Sequence, residues 1–259
     1  MLLKDGTKLD VHDFLEGSRM PAVVLIHGDG QNHTALMPLI KYFLAKGQRV
    51  LFYDRPGHGL SQPYKDKNYS YARFAETLKE IVDHYKISKP LLVGSSSGAI
   101  IALLYAARYE VEGVVSINAC DESPVKNNPQ MEGVIKDYLE GSKKNFVKQE
   151  LFDYSQEGLS EEKRSLAPLR HTSPEAITGN VKVFRELNIR KELSRIKAPV
   201  LLLFGEKDPF VSKESIKRMK DKIRNAKVVI FRGLGHNMVL DSPEKIIKGV
   251  EENYSFLVQ

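Results

Sequence analysis

Three residues have the types and settings that nucleophilic catalysis needs: Ser96, Asp208 and His236. A serine hydroxyl is a poor nucleophile until an imidazole takes its proton, and a carboxylate must hold that imidazole in the right tautomer. Ser96 lies within Gly94-Ser95-Ser96-Ser97-Gly98, and of the three serines it alone has glycines both two before and two after it. Pro90 to Val93 reads as a strand buried on both faces, and Ala99 to Leu104 as a buried helix. A strand that turns directly into a helix strains the turn residue and presents its side chain at the sheet edge. Glycines are needed wherever a Cβ there would strike neighbouring backbone. The N–H of Ser97, at the helix N-terminus, is placed to hold a developing oxyanion. Composition alone yields a Gly-x-Ser-x-Gly in about one chain in ten of this size, so the weight falls on context.

That context is consistent. Val200 to Phe204 reads as a buried strand, followed by Gly205-Glu206-Lys207-Asp208-Pro209. Lys227 to Phe231 reads as the last strand, followed by Gly233-Leu234-Gly235-His236. Each candidate therefore stands just past the carboxyl end of a strand, where open sheets place their sites. Asp121 also follows a strand, 111–118, and is the competing acid. His12, His33, His84 and His171 lack a strand-end setting and read as surface or structural residues.

The order nucleophile, acid, histidine, on strands of this kind, resembles the α/β-hydrolases. The resemblance implies more. In the family, a His-Gly turn after an early strand supplies a second oxyanion N–H; in His27-Gly28-Asp29-Gly30 that N–H falls on Asp29, and His27 braces the loop. The stretch Asp54-Arg55-Pro56-Gly57-His58-Gly59-Leu60-Ser61 is similar to the family's D-x-x-G-x-G-x-S loop, with His58 and Ser61 structural. Asp208 has the family's Gly-x-x-Asp-Pro setting, which favours it over Asp121. A serine at the elbow, where haloalkane dehalogenases and epoxide hydrolases carry aspartate, argues against those chemistries. The fold implied is α/β: a mostly parallel eight-stranded sheet flanked by helices, with a helical cap inserted before the strand that carries the acid.

Residues 2–14 read as a hairpin turning at Asp5-Gly6, with Leu9, Val11 and Phe14 alternating on the return strand. Ala22 to Ile26 and Arg49 to Tyr53 are further strands; 34–46 is a helix stopped by Gly47, and 71–85 is an amphipathic one. Across 121–190 strand patterns vanish and helical spacing takes over, as in Met131, Val134, Ile135, Tyr138 and Leu139. A connection of that length between two sheet strands is too long to be plain. The expected organisation is thus core 1–120, cap 121–190 and core 191–259. Tyr138 and Phe184 from the cap, with Phe210 beside the acid, are the expected substrate pocket.

Composition narrows the rest. The 259 residues suit one α/β domain with an insertion, and 42% hydrophobic with 28% charged residues is ordinary for a globular protein. The net charge of +6 raises nucleic-acid binding, but the densest basic run, Lys213 to Arg224, is broken by Glu214 and Asp221 and has no interleaved aromatics. It reads as a solvated helix face. The single cysteine, Cys120, excludes an internal disulfide and fits a reducing compartment. With no signal-peptide pattern at Met1 to Gly6 and no membrane-length apolar run, a cytoplasmic protein without membrane or nucleic-acid partners is expected. No metal-ligand spacing and no G-x-G-x-x-G that opens a helix are present, so no metal or other cofactor is expected.

The expected function is hydrolysis of a small carboxylic ester or related acyl substrate through an acyl-enzyme. Carbon–carbon, lactone and thioester hydrolysis use the same trio and stay open, as does a ligand receptor on the hydrolase scaffold with slow turnover. Asp29 poses a particular question, because a carboxylate facing an oxyanion raises the barrier. The expectation is that it folds back onto the N–H of Gln31 or Asn32 as an Asx-turn; recognition of a substrate group is the alternative.

Overall fold

The computed structural model describes residues 1–127, 131–136, 140 and 172–258. Its centre is a sheet of seven strands among those residues: β1 (Val11–Phe14), β2 (Val23–Ile26), β3 (Val50–Tyr53), β4 (Leu91–Ser95), β5 (Gly113–Ile117), β6 (Val200–Gly205) and β7 (Ala226–Phe231). They lie in the order β1-β3-β2-β4-β5-β6-β7; β1 is antiparallel to β3 and every other pairing is parallel. Strands β2 to β6 are buried along their whole length, the continuous apolar runs that a doubly covered parallel sheet requires.

Among the described residues the expected eighth strand is absent. The hairpin about Asp5-Gly6 forms but makes only one β-bridge, Leu2 to Lys8, and the return segment continues into β1, which pairs with β3. The turn closes on itself locally: Leu3 N–H donates to Thr7 O, and Asp5 Oδ1 accepts from Thr7 N–H at 2.8 Å. Leu3 and Leu9 are buried while Leu2 faces solvent, and Met1 and Leu9 exchange two backbone hydrogen bonds at 2.9 and 2.8 Å, so the short arm is held by two side chains and by backbone pairing.

Alternation along the strands divides the core. Val24, Ile26, Leu51 and Leu92 face helices α2 (Tyr71–His84) and α3 (Ser97–Ala106). Val23, Leu25, Val50 and Val93 face α1 (Met37–Ala45) and the C-terminal helices. Every residue of α3 is buried, which is why its sequence is small and apolar without a polar face. Among the described residues no helix is long and apolar enough to cross a membrane.

Between β5 and β6, residues 131–136 are helical and α4 spans Pro174–Arg185. Ser173 caps α4 by accepting from Ala176 N–H, with Pro174 in the first turn where its missing N–H costs nothing. Much of the expected cap, including Tyr138, Leu139 and His171, lies outside the described residues. Helix α4 sits on the loop after β3: Ser173 N–H donates to Gly57 O at 2.7 Å, and Asn180 Nδ2 donates to His58 Nε2 at 3.2 Å.

Candidate active site

The turn from β4 into α3 holds Ser96 at φ 55°, ψ −124°. A positive φ on a residue with a Cβ costs on the order of 1–3 kcal/mol and persists only where the surroundings impose it. Here Ser96 N–H donates to Ile117 O at 2.8 Å, and its own carbonyl accepts from Ala99 N–H at 2.9 Å. The two glycines answer to contact. A Cβ on Gly94 would come within 2.4 Å of Gly98 O, and one on Gly98 within 2.1 Å of Ile26 O. Helix α3 can therefore cross β2 and β4 this tightly only with glycine at both places.

Ser96 Oγ lies 2.9 Å from His236 Nε2, and His236 Nδ1 lies 2.7 Å from Asp208 Oδ2. The carboxylate makes Nδ1 the protonated nitrogen, which leaves Nε2 to accept the Ser96 hydroxyl proton. Asp208 is fixed in turn, with Oδ1 accepting from Phe210 N–H at 2.8 Å and its side chain wholly buried. The competing acid is engaged elsewhere. Asp121 accepts from Arg218 Nε and Nη2 at 2.7 and 2.8 Å and from Ser215 Oγ at 2.6 Å.

Two positioning groups escaped the sequence reading. Asn118, at φ 53° just beyond β5, donates from Nδ2 to the carbonyls of His236 (2.7 Å) and Gly235 (3.2 Å), while its Oδ1 accepts from Gly205 N–H at 2.9 Å. One amide thus ties the histidine loop to the end of the acid's strand. The available signal was an asparagine at a strand terminus, a residue type that tolerates positive φ.

The second is Arg55. Its guanidinium is 1% exposed, stacked over the Phe74 ring at 4.5 Å, and its Nη1 donates to Asp29 Oδ1 at 2.9 Å and to Ser97 Oγ at 2.7 Å. The carboxylate of Asp29 is therefore not folded onto Gln31 or Asn32; an ion pair takes it. Full charge on a buried guanidinium attracts it more strongly than neutral backbone donors do. Gln31 fills the loop differently, its Oε1 accepting from Gly28 N–H at 3.0 Å. Among the described residues, neither Asp29 N–H nor Ser97 N–H has a protein partner.

The remaining loop residues brace. His27 accepts from Arg55 N–H at Nε2 (2.9 Å) and donates from Nδ1 to Gly28 O (2.8 Å). Burial, with the charges of His58 and Arg55, pushes His27 well below its ordinary pKa. His58 is pushed down to about 4 by burial and by Arg55, so both rings are neutral struts at neutral pH. Burial would raise Asp54, but hydrogen bonds and charge from His33 prevail and hold it below the ordinary carboxylate range. Asp54 Oδ2 accepts from Leu60 N–H and Ser61 Oγ donates to Asp54 O, which closes the loop.

Of the expected pocket residues, Phe210 lies with its ring 4.6 Å from that of His236, and Phe184 on α4 is 6.3 Å from Phe210. Tyr138 lies outside the described residues. A cavity of about 570 Å³ opens on the acid's side, against Phe210, Val211, Cys120 and Arg218; Ser96 does not line it. Burial pushes the Cys120 thiol far above its ordinary pKa, which makes it an inert wall rather than a nucleophile.

Parallel sheet, glycine-flanked elbow and strand-end histidine define a class: the chain belongs to the alpha/beta hydrolase fold family, whose sequence model matches residues 21–243. Among individual proteins it is 25% identical to the AB hydrolase superfamily protein YisY of Bacillus subtilis, over 86% of this chain and 88% of that one. It is 28% identical to a 2-hydroxy-6-oxononadienedioate/2-hydroxy-6-oxononatrienedioate hydrolase of Burkholderia vietnamiensis, over 91% and 87%. A structure from Nitrososphaera gargenis, described with that organism's carboxylesterases, superposes with a TM-score of 0.82 at 19% identity, covering 99% of this chain and 98% of that one.

Proposed function

We propose that this protein is a serine hydrolase that cleaves a small carboxylic ester or related acyl substrate through an acyl-enzyme. The observation that carries the reading is the hydrogen-bonded chain Ser96–His236–Asp208, at 2.9 and 2.7 Å. Ser96 Oγ attacks the substrate carbonyl carbon as its proton passes to His236 Nε2. The tetrahedral oxyanion sits between the N–H groups of Asp29 and Ser97. His236 then gives the proton to the leaving group and the acyl-enzyme forms. Water, deprotonated by the same Nε2, attacks the ester carbon and releases the acid and Ser96. Asp208 holds the tautomer and the imidazolium throughout, and each oxyanion donor contributes on the order of 10²–10³ in rate.

Arg55 has a defined part in this reading. Its guanidinium neutralises the Asp29 carboxylate and, through Ser97 Oγ, holds the two residues that supply the oxyanion donors. Residues 121–190 act as a cap, supported by the docking of α4 on the 54–61 loop and by the row Phe184, Phe210, His236. A second reading, hydrolysis of a 2-hydroxy-6-oxo dienoate like that in the Burkholderia relative's name, draws on the 28% identity and employs the same trio.

The test is a fluorophosphonate probe followed by peptide mapping, with p-nitrophenyl esters of increasing acyl length as substrates. One label at Ser96 and loss of both label and turnover in Ser96→Ala are expected. Label at Ser95 or Ser97, or undiminished turnover in Ser96→Ala, removes the reading.

A further inference from the structure

We infer that Asp10, His12 and His33 form a binding site for a divalent transition-metal ion, of which Zn²⁺ is the best match. The site is separate from Ser96 and His236. Among the described residues this is the one place where three such side chains gather: one ligand atom from each lies within 4.8 Å of the others.

The two ends of the cluster come from different elements. Asp10, the residue before β1, and His12 within it are two apart in extended chain, so both side chains leave the same face. His33 opens the 3-10 turn His33–Leu36, four residues past the Asp29 turn. What gathers them is Phe52, the residue opposite His12 in the β1–β3 ladder. The His12 ring stacks on Phe52 at 4.9 Å, the His33 ring lies 5.3 Å from Phe52, and the two imidazoles are 5.3 Å apart. Both rings are thus held by packing before any ion arrives, which lowers the ordering cost of binding.

The orientation of His33 is the strongest sign. Its Nδ1 donates to Asp54 Oδ1 at 2.9 Å, and Asp54 is itself fully buried and locked by the N–H groups of His33 and Leu60. A carboxylate that fixes one imidazole nitrogen leaves Nε2 as the lone-pair donor, which is how histidine ligands to zinc are commonly oriented. His12 Nε2 and Asp10 Oδ2 stand 2.9 Å apart, a distance that widens by only a few tenths of an ångström between two ligands of one tetrahedral ion. Exposure rises outward from His33 (10%) through Asp10 (23%) to His12 (37%), so an ion can enter from solvent and keep water as its fourth ligand. Two imidazoles and one carboxylate suit zinc, nickel or copper rather than magnesium or calcium, which prefer oxygen ligands. The bound ion would pin the edge strand β1 to the segment that follows the oxyanion turn. The sequence hides this cluster, because two ligands sit on one strand and the third on a distant turn.

The experiment is isothermal titration of ZnCl₂ into chelator-treated full-length protein, with thermal unfolding in parallel. One ion per chain at micromolar or tighter Kd, and a raised melting temperature, are expected. Asp10→Asn and His12→Ala, both at the exposed rim, should each weaken binding at least tenfold while leaving the zinc-free melting temperature within a degree or two. Ser96→Ala should bind as the parent does, which separates this site from the fate of the hydrolase reading. No binding up to 100-fold excess over micromolar protein overturns the inference. So does stoichiometric binding that Asp10→Asn and His12→Ala leave intact, since the ion would then sit on other residues.

Discussion

Arg55 and Asp29 form an ion pair, Nη1 to Oδ1 at 2.9 Å, with the guanidinium buried and the carboxylate on the residue whose N–H is proposed to hold the oxyanion. Two charges with opposite consequences for an oxyanion are thereby held together. Among the described residues Nε and Nη2 of Arg55 have no hydrogen-bond partner, so Nη1, on Asp29 and Ser97 Oγ, and the Phe74 face hold the cation. Such a pair is weak evidence for stability, yet removing one member leaves an uncompensated charge, which is costly.

That asymmetry predicts a reversal. Arg55→Met should lower kcat on a neutral ester by about 10²-fold with KM little changed, since a bare Asp29 carboxylate would oppose charge that develops only in the transition state. Asp29→Asn alone should stay within about threefold of the parent, because the N–H is kept and the remaining cation favours the oxyanion. The double variant, Arg55→Met with Asp29→Asn, should recover at least tenfold over Arg55→Met. Steady-state kinetics on variants with native circular dichroism decides it; a double variant as slow as Arg55→Met would assign Arg55 to packing.

Asp208→Asn is expected to reduce kcat by about 10⁴-fold with the fold intact, because the amide no longer dictates the His236 tautomer. Asp121→Asn should do the reverse. It removes one of the two carboxylates on Arg218, Glu122 remaining at 2.7 Å, and should lower the urea midpoint modestly, with kcat within a few-fold. If Asp121→Asn abolishes turnover and Asp208→Asn does not, the acid follows β5 rather than β6.

The buried histidines set a pH dependence of stability whose sign follows from their depressed pKa values. His58, held at about 4, stays neutral in the folded chain at pH values where an unfolded histidine, near 6.5, takes up a proton. Its contribution is complete above 6.5 and is lost as pH falls, by on the order of 1–2 kcal/mol between 6.5 and 5. His27 acts in the same direction, while the raised His33 offsets part of the loss. Urea unfolding should thus show a falling midpoint over this window, which lies above ordinary carboxylate titration, and His58→Gln should flatten the slope. A midpoint constant from pH 7 to 5 would contradict the assignment of neutral struts.

The legible parts of this chain were those fixed by local sterics. Gly94 and Gly98 are demanded by contacts a few residues away or one strand across, so the elbow could be read from spacing, and the strands that end shortly before Asp208 and His236 are plain apolar runs. What depends on charges meeting across the fold was not legible. Nothing near Arg55 in sequence says that its guanidinium turns inward to Asp29 and Ser97, and nothing near Asn118 says that it grips His236. The N-terminal hairpin shows the same limit: its turn at Asp5-Gly6 could be read, but alternation at Leu9, Val11 and Phe14 does not say that the 2–8 arm makes a single bridge or that Val11–Phe14 runs along β3.

Selectivity should be governed from α4. Phe210 stands against His236 at 4.6 Å, and the Phe184 ring is 6.3 Å from Phe210, so in the proposed reading the two form part of the acyl pocket. Phe184 is only partly buried and packs at the edge of the core, so truncating it removes less stabilisation than the 3–5 kcal/mol expected for a fully buried phenylalanine. Phe184→Ala should therefore lower the melting temperature modestly while shifting the ratio of kcat/KM for long over short p-nitrophenyl esters by about fivefold or more. Each methylene that finds or loses apolar contact is worth about 0.8 kcal/mol, so two or three of them suffice for such a shift. Phe210→Ala should move the same ratio and also slow the short esters, because it loosens the ring packed on His236. A ratio unchanged in both variants would show that the acyl chain leaves the site by another route and that α4 serves packing alone.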